Sequence, residues 1–190
     1  MEPKLKRNIA FVGHAHCGKT SLCESILFVT GGISRKGDVM KGTTASDFND
    51  DEIERQISIN AGYMHTNYNG HRIQIVDTPG YMDFVGETVA SLRAVDAAVV
   101  VVDALHGVEV GTEETWQKLD AMKMPRLIFI NKTDKEDANV QDAISSIQEE
   151  LSRSAQIIDL ESASLVEVVA ETDDELLEIY LEKGSLPKEK

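Results

Sequence analysis

Apolar residues occur along this 190-residue chain in short blocks that polar loops separate. Residues 97–102 and 127–130 are continuously apolar and rich in β-branched side chains. Such runs are typical of parallel strands that are buried on both faces of a sheet. Residues 9–12 form a similar, shorter run. The pattern therefore predicts buried strands at residues 97–102 and 127–130 and a further strand at residues 9–12.

Helical periodicity is found between these strands. Apolar positions spaced by three or four residues predict helices over residues 19–30, 84–94, 112–122 and 138–152. In the first helix, the apolar face would be formed by Leu22, Ile26 and Val29. Because strands and helices alternate, we predict an α/β fold with a mostly parallel central sheet flanked by helices and with right-handed crossovers.

The segment between the first two helices has a weaker pattern. Residues 33–56 are polar, contain glycine and show little periodicity, so they predict a long loop, which in a compact domain is usually functional or mobile. Alternation of apolar and polar residues predicts a strand that begins at Ile57. Asn69-Gly70 is typical of a two-residue hairpin turn, and residues 71–76 would form the returning strand.

The residues after the first strand carry the strongest chemical signal. Residues 13–20 match the pattern G-x-x-x-x-G-K-[ST] without a mismatch, and a strand before and a helix after are the context in which it binds phosphate. Backbone N–H groups would point at phosphate oxygens, while Lys19 would contact the outer phosphates and Thr20 would bind Mg²⁺. The predicted nucleotide-binding residues here are Gly13, His14, Ala15, His16, Cys17, Gly18, Lys19, Thr20 and Ser21.

The second cluster, Asp77-Thr78-Pro79-Gly80, ends the returning strand of the hairpin. Asp77 is placed as a carboxylate for Mg²⁺ beside the phosphates. Gly80 has no side chain and could bring its N–H to a terminal phosphate, so we add Asp77 and Gly80 to the predicted nucleotide site. The alternative is an ordinary turn at the end of a strand.

The third cluster is the N-K-x-D sequence formed by Asn131, Lys132 and Asp134. The Asp134 carboxylate could accept two hydrogen bonds from N1 and N2 of guanine, whereas adenine has no such pair of donors. The alternative is a helix N-cap at Asp134 or Asp137. Because all three clusters follow strands, and ligands bind at the carboxyl ends of strands in open α/β sheets, we expect them to meet at one edge.

Charge is spread unevenly along the chain. Residues 136–190 hold 15 Asp or Glu and 4 Lys or Arg, so they carry −11 of the net charge of −14. The chain lacks a basic stripe, which argues against sequence-specific binding of nucleic acid. The acidic segment is interpreted as a solvated helix face or, alternatively, as a docking surface for a basic partner.

Location and redox state can also be predicted. The sequence has no run of 18 apolar residues and begins with charged residues rather than an apolar signal region, so we predict a cytoplasmic protein without a membrane span. Cys17 and Cys23 are expected to be thiols. Because Cys17 lies in the phosphate loop, the N–H dipoles there are expected to lower the pKa of its thiol.

In their order along the chain, the three motifs resemble those of the GTP-binding domain of translational GTPases. A longer match is similar to elongation factor G and covers residues 7–137 almost continuously. The segments that look like the two switch regions of that factor are residues 31–33, 37–39, 42–44, 47–48 and 54–59 for the first switch and 77–84 and 91–93 for the second.

The resemblance implies binding of GTP and GDP with Mg²⁺, hydrolysis of GTP to GDP and phosphate, and a switch between two states on the ribosome. It implies that Lys19, Gly80 and Tyr81 act in hydrolysis. A nucleotide-dependent binding module with negligible unaided hydrolysis is the alternative. An ATP-using protein conflicts with Asp134. We expect the protein to be a monomer.

The sequence departs from the family pattern in both switches and in the phosphate loop. Tyr81 stands where a water-orienting His commonly follows D-T-P-G, so we expect slow unaided hydrolysis. Ser58 replaces the usual Thr but keeps the hydroxyl, which leaves Thr20, Ser58 and Asp77 as the implied Mg²⁺ ligands. Gln56 replaces a glycine and should disfavour a turn with positive φ. His16 replaces an Asp of many relatives, and the side chains of His14 and His16 are both expected to face solvent, a metal role being the alternative.

The C-terminal part is expected to form a second domain. Residues 1–153 would be the GTP-binding domain, and residues 154–190 a shortened acidic helical insert. Residues 170–177 are similar to an acidic helix of the factor's insert, which implies a contact with the ribosomal stalk. In the family a further strand and a short loop close over the base, and this chain is expected to end before them. The alternative assigns residues 157–160 and 162–164 to that strand and loop.

Overall fold

The computed structural model of the chain describes residues 5–158, 165–171 and 174–186. Contacts between Cα atoms divide the chain into two compact units, Met1–Ser152 and Arg153–Lys190. The first unit contains the sheet and the three motifs. The described part of the second unit contains two helices.

A five-stranded sheet lies at the centre of the first unit, with the strand order β2-β3-β1-β4-β5. β2 runs antiparallel to β3, and the other neighbouring pairs are parallel. The predicted α/β fold with a mostly parallel sheet is therefore confirmed. The strands are β1 (Lys6–Val12), β2 (Gly62–Tyr68), β3 (His71–Asp77), β4 (Ala97–Asp103) and β5 (Arg126–Asn131).

All four predicted helices of the first unit are confirmed, with ends that differ by at most two residues. The unit also contains a short helix inside the long loop and two 3₁₀ turns at Val39–Lys41 and Met82–Phe84. The sequence pattern did not predict this short helix. The helices of this unit are α1 (Lys19–Val29), α2 (Asp50–Arg55), α3 (Val85–Leu92), α4 (Val110–Ala121) and α5 (Val140–Glu150).

The core lies where α1 packs on the sheet. Phe11, Ile75 and Val101 of three adjacent strands contact the inner face of α1, which presents Cys23 and Leu27. The face predicted for α1 is therefore only partly right. Leu22 and Ile26 pack at the edge of this cluster, but the Val29 side chain is 80% exposed. The buried residues of α1 all lie outside the predicted face, and they are Lys19, Cys23, Glu24 and Leu27.

The strand at residues 127–130 is not buried on both faces, so this prediction was wrong. Leu127 and Phe129 are exposed, while Ile128 and Ile130 are partly covered. The reason is position, because β5 forms an edge of the described sheet and pairs only with β4. An edge strand with alternating burial can have the same apolar composition as a central strand.

The strand predicted from Ile57 begins five residues later, at Gly62. The Glu52 carboxylate accepts the N–H groups of Ile59 and Asn60 at 3.0 and 2.9 Å, which holds this segment as a loop. Gln56 takes the left-handed conformation with a φ of 56°, so the turn survives without glycine. The predicted hairpin turn is confirmed, since Asn69 and Gly70 have positive φ angles of 47° and 77°.

The second unit contains α6 (Leu165–Ala170) and α7 (Asp174–Lys183), which pack against each other. Asp174 and Glu175 lie in the first turn of α7, where negative charge is favourable for the helix dipole. Residues 157 and 158 of the alternative strand are described and belong to no strand, whereas its residues 159–160 and the alternative loop at 162–164 lie outside the described residues. Within the described ranges, no helix is long and apolar enough to cross a bilayer.

The packing of β4 generates a stability prediction. Val101 is 0% exposed, and replacing it by Ala should lower the free energy of unfolding by roughly 1.5–3 kcal/mol, because methyl groups are lost and a cavity remains. The same truncation at exposed Val29 should change it by less than about 0.5 kcal/mol. Urea unfolding at equilibrium measures both variants. Equal effects would contradict the assigned core.

Candidate functional site

The three motifs meet at the carboxyl edge of the sheet, as the sequence predicts. The phosphate loop follows β1, the second cluster follows β3 and the third follows β5. Asn131 Nδ2 donates a hydrogen bond of 2.9 Å to the carbonyl of Cys17, which ties the third cluster to the phosphate loop. Thr20 Oγ1 donates one of 2.6 Å to Asp77 Oδ2, which ties the second cluster to α1.

The phosphate loop depends on two glycines with positive φ. Gly13 and Gly18 have φ angles of 138° and 97°. A side chain at position 13 would collide with the Val101 carbonyl, and one at position 18 would collide with the Asn131 amide. The loop therefore passes too close to β4 and to the third cluster for any other residue.

Lys19 is held over the start of its own loop. Its ammonium donates hydrogen bonds to the carbonyls of Gly13 and His14 at 3.2 and 2.7 Å, and the side chain is only 6% exposed. A side chain at position 80 would begin 2.5 Å from Lys19 Nζ and 2.7 Å from the backbone of Ala15. The turn after β3 thus crosses directly over the phosphate loop, as the sequence expectation for Gly80 requires.

The residues expected to hold Mg²⁺ come together around Thr20. Thr20 Oγ1 lies 3.3 Å from Ser58 Oγ and 2.6 Å from Asp77 Oδ2. Ser46, which the sequence reasoning did not single out, donates a further hydrogen bond of 3.0 Å to Asp77 Oδ2. Residues 20, 58 and 77 are far apart in the chain, and the fold makes them neighbours.

Two buried carboxylate oxygens in this cluster have no hydrogen-bond partner within the described part of the chain. They are Asp77 Oδ1 and Asp47 Oδ1. Unpaired buried carboxylate oxygens beside hydroxyl oxygens fit a small hard cation, because Mg²⁺ prefers oxygen ligands. Asp47 was not assigned a role from the sequence. The sequence signal was its position, because Asp47 belongs to the segments that resemble the first switch. In the folded chain it lines the same cavity as the phosphate loop.

Burial shifts the acidity of both carboxyl groups. It raises the pKa of Asp77 to about 6, against the opposing effects of the Thr20 hydrogen bond and the Lys19 charge. It also raises the pKa of Asp47, although a hydrogen bond with Ser58 opposes the change. Negative charge is therefore unfavourable at this point of the folded protein, and a bound cation would relieve the cost.

A cavity of about 230 Å³ opens beside this cluster. Its walls come from the phosphate loop, from two parts of the first switch segment and from the turn after β3. The lining residues are Ala15, His16, Gly18, Lys19, Thr20, Ser21, Val39, Met40, Asp47, Gln56, Ile57, Ser58, Gly80 and Tyr81.

Asn131, Lys132 and Asp134 lie outside the lining of this cavity but at the same edge. Lys132 Nζ donates a hydrogen bond of 2.6 Å to Asp103 Oδ2 at the end of β4. Burial alone would raise the pKa of Asp103, but hydrogen bonds from Lys132 and the Leu105 N–H lower it overall. Asp103, which the sequence reasoning missed, therefore anchors the loop that carries the exposed Asp134 side chain.

Two buried glutamates hold the first switch segment in place, and neither was foreseen. Glu24 of α1 accepts the N–H groups of Gly37 and Ala45 at 2.7 and 2.5 Å. Glu52 accepts the N–H groups of residues 49, 59 and 60, and these bonds lower its pKa although burial raises it. The signal for Glu24 was a charged residue between apolar positions on the helix that follows the phosphate loop.

The expectation that His16 merely faces solvent was incomplete. The His16 side chain is exposed, but its Nε2 lies 2.7 Å from the hydroxyl of Tyr81. His14 is half-buried, and its Nδ1 accepts the N–H of Gly111 in the first turn of α4 at 3.2 Å. The two residues at which the phosphate loop and the second switch depart from the family pattern are thus partners in one hydrogen bond.

The expectation for Cys17 was wrong. Its side chain is 0% exposed, and burial raises the pKa of the thiol above its ordinary value, although Lys19 opposes the change. The loop turns the Cys17 side chain into the core, where it belongs to the cluster that packs against α1. A buried thiol with a raised pKa is a poor nucleophile.

The shifted pKa of Asp77 predicts how stability changes with pH. The folded protein binds the Asp77 proton more tightly than the unfolded chain does, so the stabilisation from this proton is complete below about pH 4 and is lost as the pH rises through about 6. Asp77→Asn keeps the acceptor for Thr20 and removes the charge. In EDTA at pH 7 it should raise the free energy of unfolding by about 1–2 kcal/mol, and this gain should be about 1 kcal/mol smaller at pH 5.

Urea unfolding of both proteins at pH 7 and pH 5 measures this difference. The matched control is Asp137→Asn, at an exposed position, which should change the free energy of unfolding by less than about 0.5 kcal/mol. A variant at position 77 that is less stable than the original protein at pH 7 would contradict the assigned cost of the buried charge.

Comparison with known proteins identifies the family. The family described as "Elongation factor Tu GTP binding domain" matches residues 4–185. Elongation factor G 2 of Streptomyces coelicolor is 42% identical over 145 residues, which are 76% of this chain and 21% of that protein. This chain therefore spans about a fifth of the length of this curated relative.

A solved structure agrees with this match. A crystal structure of a protein from Thermus thermophilus aligns with a TM-score of 0.79 and 30% identity, over 94% of this chain and 33% of that one. The chain thus belongs to the family of elongation factor Tu GTP-binding domains.

Proposed function

We propose that this chain is the nucleotide-binding domain of an elongation factor G-like GTPase, which binds GTP and GDP with Mg²⁺ and hydrolyses GTP to GDP and phosphate. The observation that carries the proposal is the hydrogen bond between Thr20 and Asp77 at the edge of a cavity that also contains Lys19. This arrangement brings a phosphate loop and a carboxylate with an unpaired oxygen to one place.

The phosphate side of the site is built for concentrated negative charge. The helix start and the loop N–H groups would bind phosphate oxygens, and the buried Lys19 ammonium would face the outer phosphates in a region where water screens it little. Thr20, Ser58 and Asp77, with Asp47 beside them, would hold Mg²⁺, which when bound neutralises charge on phosphate oxygens.

The base side of the site would select guanine. Asn131 fixes its loop to the phosphate loop through the Cys17 carbonyl, and Lys132 fixes it to Asp103. These contacts support the proposal that the Asp134 carboxylate would read the base, because they fix the loop that carries it. Two acceptor oxygens match the adjacent N1 and N2 donors of guanine and would be left without donors by adenine.

Hydrolysis would use groups already at the cavity. Lys19 would stabilise charge on the transferring phosphoryl group, and the Gly80 N–H and the Tyr81 side chain would position the water. The first switch segment is tied to the site by hydrogen bonds of its Ser46 and Ser58 side chains. Its backbone is also bound by Glu24 of α1. A γ-phosphate would order this segment, and its loss would release it.

The cellular setting of this function is a further proposal. The chain would form part of a longer factor that acts on the ribosome in the cytoplasm, as a monomer, without a membrane or sequence-specific nucleic acid as partner. Nucleotide would bind within residues 1–153, and the acidic α7 in residues 154–190 would contact the ribosomal stalk. Support comes from the family match and from the acidic side chains in the first turn of α7.

Exchange of the base-reading carboxylate tests guanine specificity. Asp134→Asn should weaken GDP binding by at least about 100-fold, because two hydrogen bonds to a charged group are lost. The amide of Asn can instead donate to the C2 carbonyl of xanthine, so binding of xanthosine diphosphate should improve. Calorimetric titration with both nucleotides measures the change. A variant that keeps the original preference for GDP would contradict the assignment of Asp134.

The unaided rate tests the second possibility, a nucleotide-dependent binding module, which the phenol at position 81 favours. We expect the isolated protein to hydrolyse GTP on the order of 10⁻³ s⁻¹ or more slowly and ribosomes to raise this rate. Release of phosphate, followed with and without ribosomes, measures both rates. Fast single-turnover hydrolysis by the protein alone would overturn the expected slow chemistry, and no acceleration by ribosomes would favour the binding module.

A further inference from the structure

One contact at the cavity joins the phosphate loop to the second switch. His16 Nε2 and the Tyr81 hydroxyl are 2.7 Å apart, although 65 residues separate them in the chain. The two rings meet edge to face, at 90° and with their centroids 5.5 Å apart. Both residues line the cavity, so the bond closes one side of the proposed nucleotide site.

Tyr81 and Lys19 line the same cavity. The residue before Tyr81, Gly80, passes so close to the phosphate loop that a side chain there would begin 2.5 Å from Lys19 Nζ. The turn that carries Tyr81 therefore crosses the site at the cation that would stabilise the transferring phosphoryl group.

The bond between the two groups can run in either direction, because the role of His16 Nε2 depends on which ring nitrogen carries the proton. The direction in which Tyr81 donates is the one that leaves its oxygen free for water. A phenol has one proton to donate and two lone pairs to accept, and a neutral imidazole has one nitrogen that accepts. When Tyr81 donates its proton to His16 Nε2, the lone pairs of the phenolic oxygen are left to accept a proton of water. Without His16, the phenol could donate to the water or to phosphate and would lose this preference.

We propose that His16 is the positioning residue for Tyr81. His16 Nε2 accepts a hydrogen bond from the phenol, which keeps its proton. The phenolic oxygen is thereby held as the hydrogen-bond acceptor for the water that attacks the γ-phosphate. This rests on the proposed hydrolysis of GTP. The water oxygen forms the new bond to phosphorus, and the bond from that phosphorus to the β–γ bridging oxygen breaks. One water proton stays on the inorganic phosphate, the other passes to solvent, and GDP leaves with the bridging oxygen.

Two variants remove one partner each with little change elsewhere. Tyr81→Phe deletes only the hydroxyl. His16 has a φ of 60°, a conformation that Asn tolerates well, and Asn is too short to place an acceptor where Nε2 lies, so His16→Asn removes the acceptor while the backbone is kept. His16→Gln restores an acceptor at longer reach. Tyr63→Phe, at an exposed phenol outside the cavity lining, and His65→Asn on β2 are the matched controls.

The measurement is single-turnover hydrolysis of GTP with the protein in excess, combined with the dissociation constant for GDP. Each of the two variants should lower the rate by about 10-fold or more, and GDP affinity should change by less than about threefold, because neither side chain makes the phosphate contacts. The double variant should be no slower than either single variant, since the two act through one bond. His16→Gln should recover most of the rate, and the control variants should match the original protein.

The outcomes separate this inference from the proposed function. If the original protein hydrolyses GTP and the variants at positions 16 and 81 keep its rate, or if their effects add, the pair is overturned while the GTPase stands. If the original protein binds GDP but hydrolyses GTP no faster than buffer, the pair and the hydrolysis fail and the nucleotide site stands. Absence of GDP binding would overturn the proposed function as a whole.

Discussion

The buried carboxylate of Asp77 is the constraint on which the rest of this site depends. One of its oxygens accepts hydrogen bonds from Thr20 of α1 and from Ser46 of the first switch segment, so a single group joins three parts of the chain. Its other oxygen is buried without a partner among the described residues. The cost of this arrangement is visible in the pKa of about 6, and a site that is unfavourable for a bare carboxylate is favourable for a cation beside it.

Similar carboxylates organise the remainder of the edge. Glu24 and Glu52 replace the backbone partners that a long loop lacks, and Asp103 fixes Lys132 of the third motif. Buried carboxylates that accept several N–H groups give irregular segments defined positions without regular secondary structure. Only a few such bonds hold the first switch segment, which is compatible with the proposed release of this segment when the γ-phosphate is lost.

Much of the fold could be predicted from the sequence, because strand and helix periodicity is local. The meeting point of the three motifs could be predicted because each motif follows a strand. The motifs themselves are recognisable from residue types that their local geometry needs, such as Gly13 and Gly18 at positive φ and Asn131 after β5. The errors concern contacts that are distant in sequence. The strand at Ile57 is displaced by Glu52, the exposure of Phe129 depends on which strand is at the edge, and the acidity of Cys17 depends on the direction in which its side chain leaves the loop. A local pattern of apolar and polar residues cannot predict these three features, because each depends on contacts between distant parts of the chain.

The central claim is that three separate loops at the edge of the sheet form one guanine-nucleotide site. Calorimetric titration of the protein with GDP and then with ATP, each in Mg²⁺ and again in EDTA, tests it most directly. The account predicts tight binding of GDP that weakens when the metal is removed, together with no measurable binding of ATP. Equal binding of both nucleotides, or binding of neither, would contradict it.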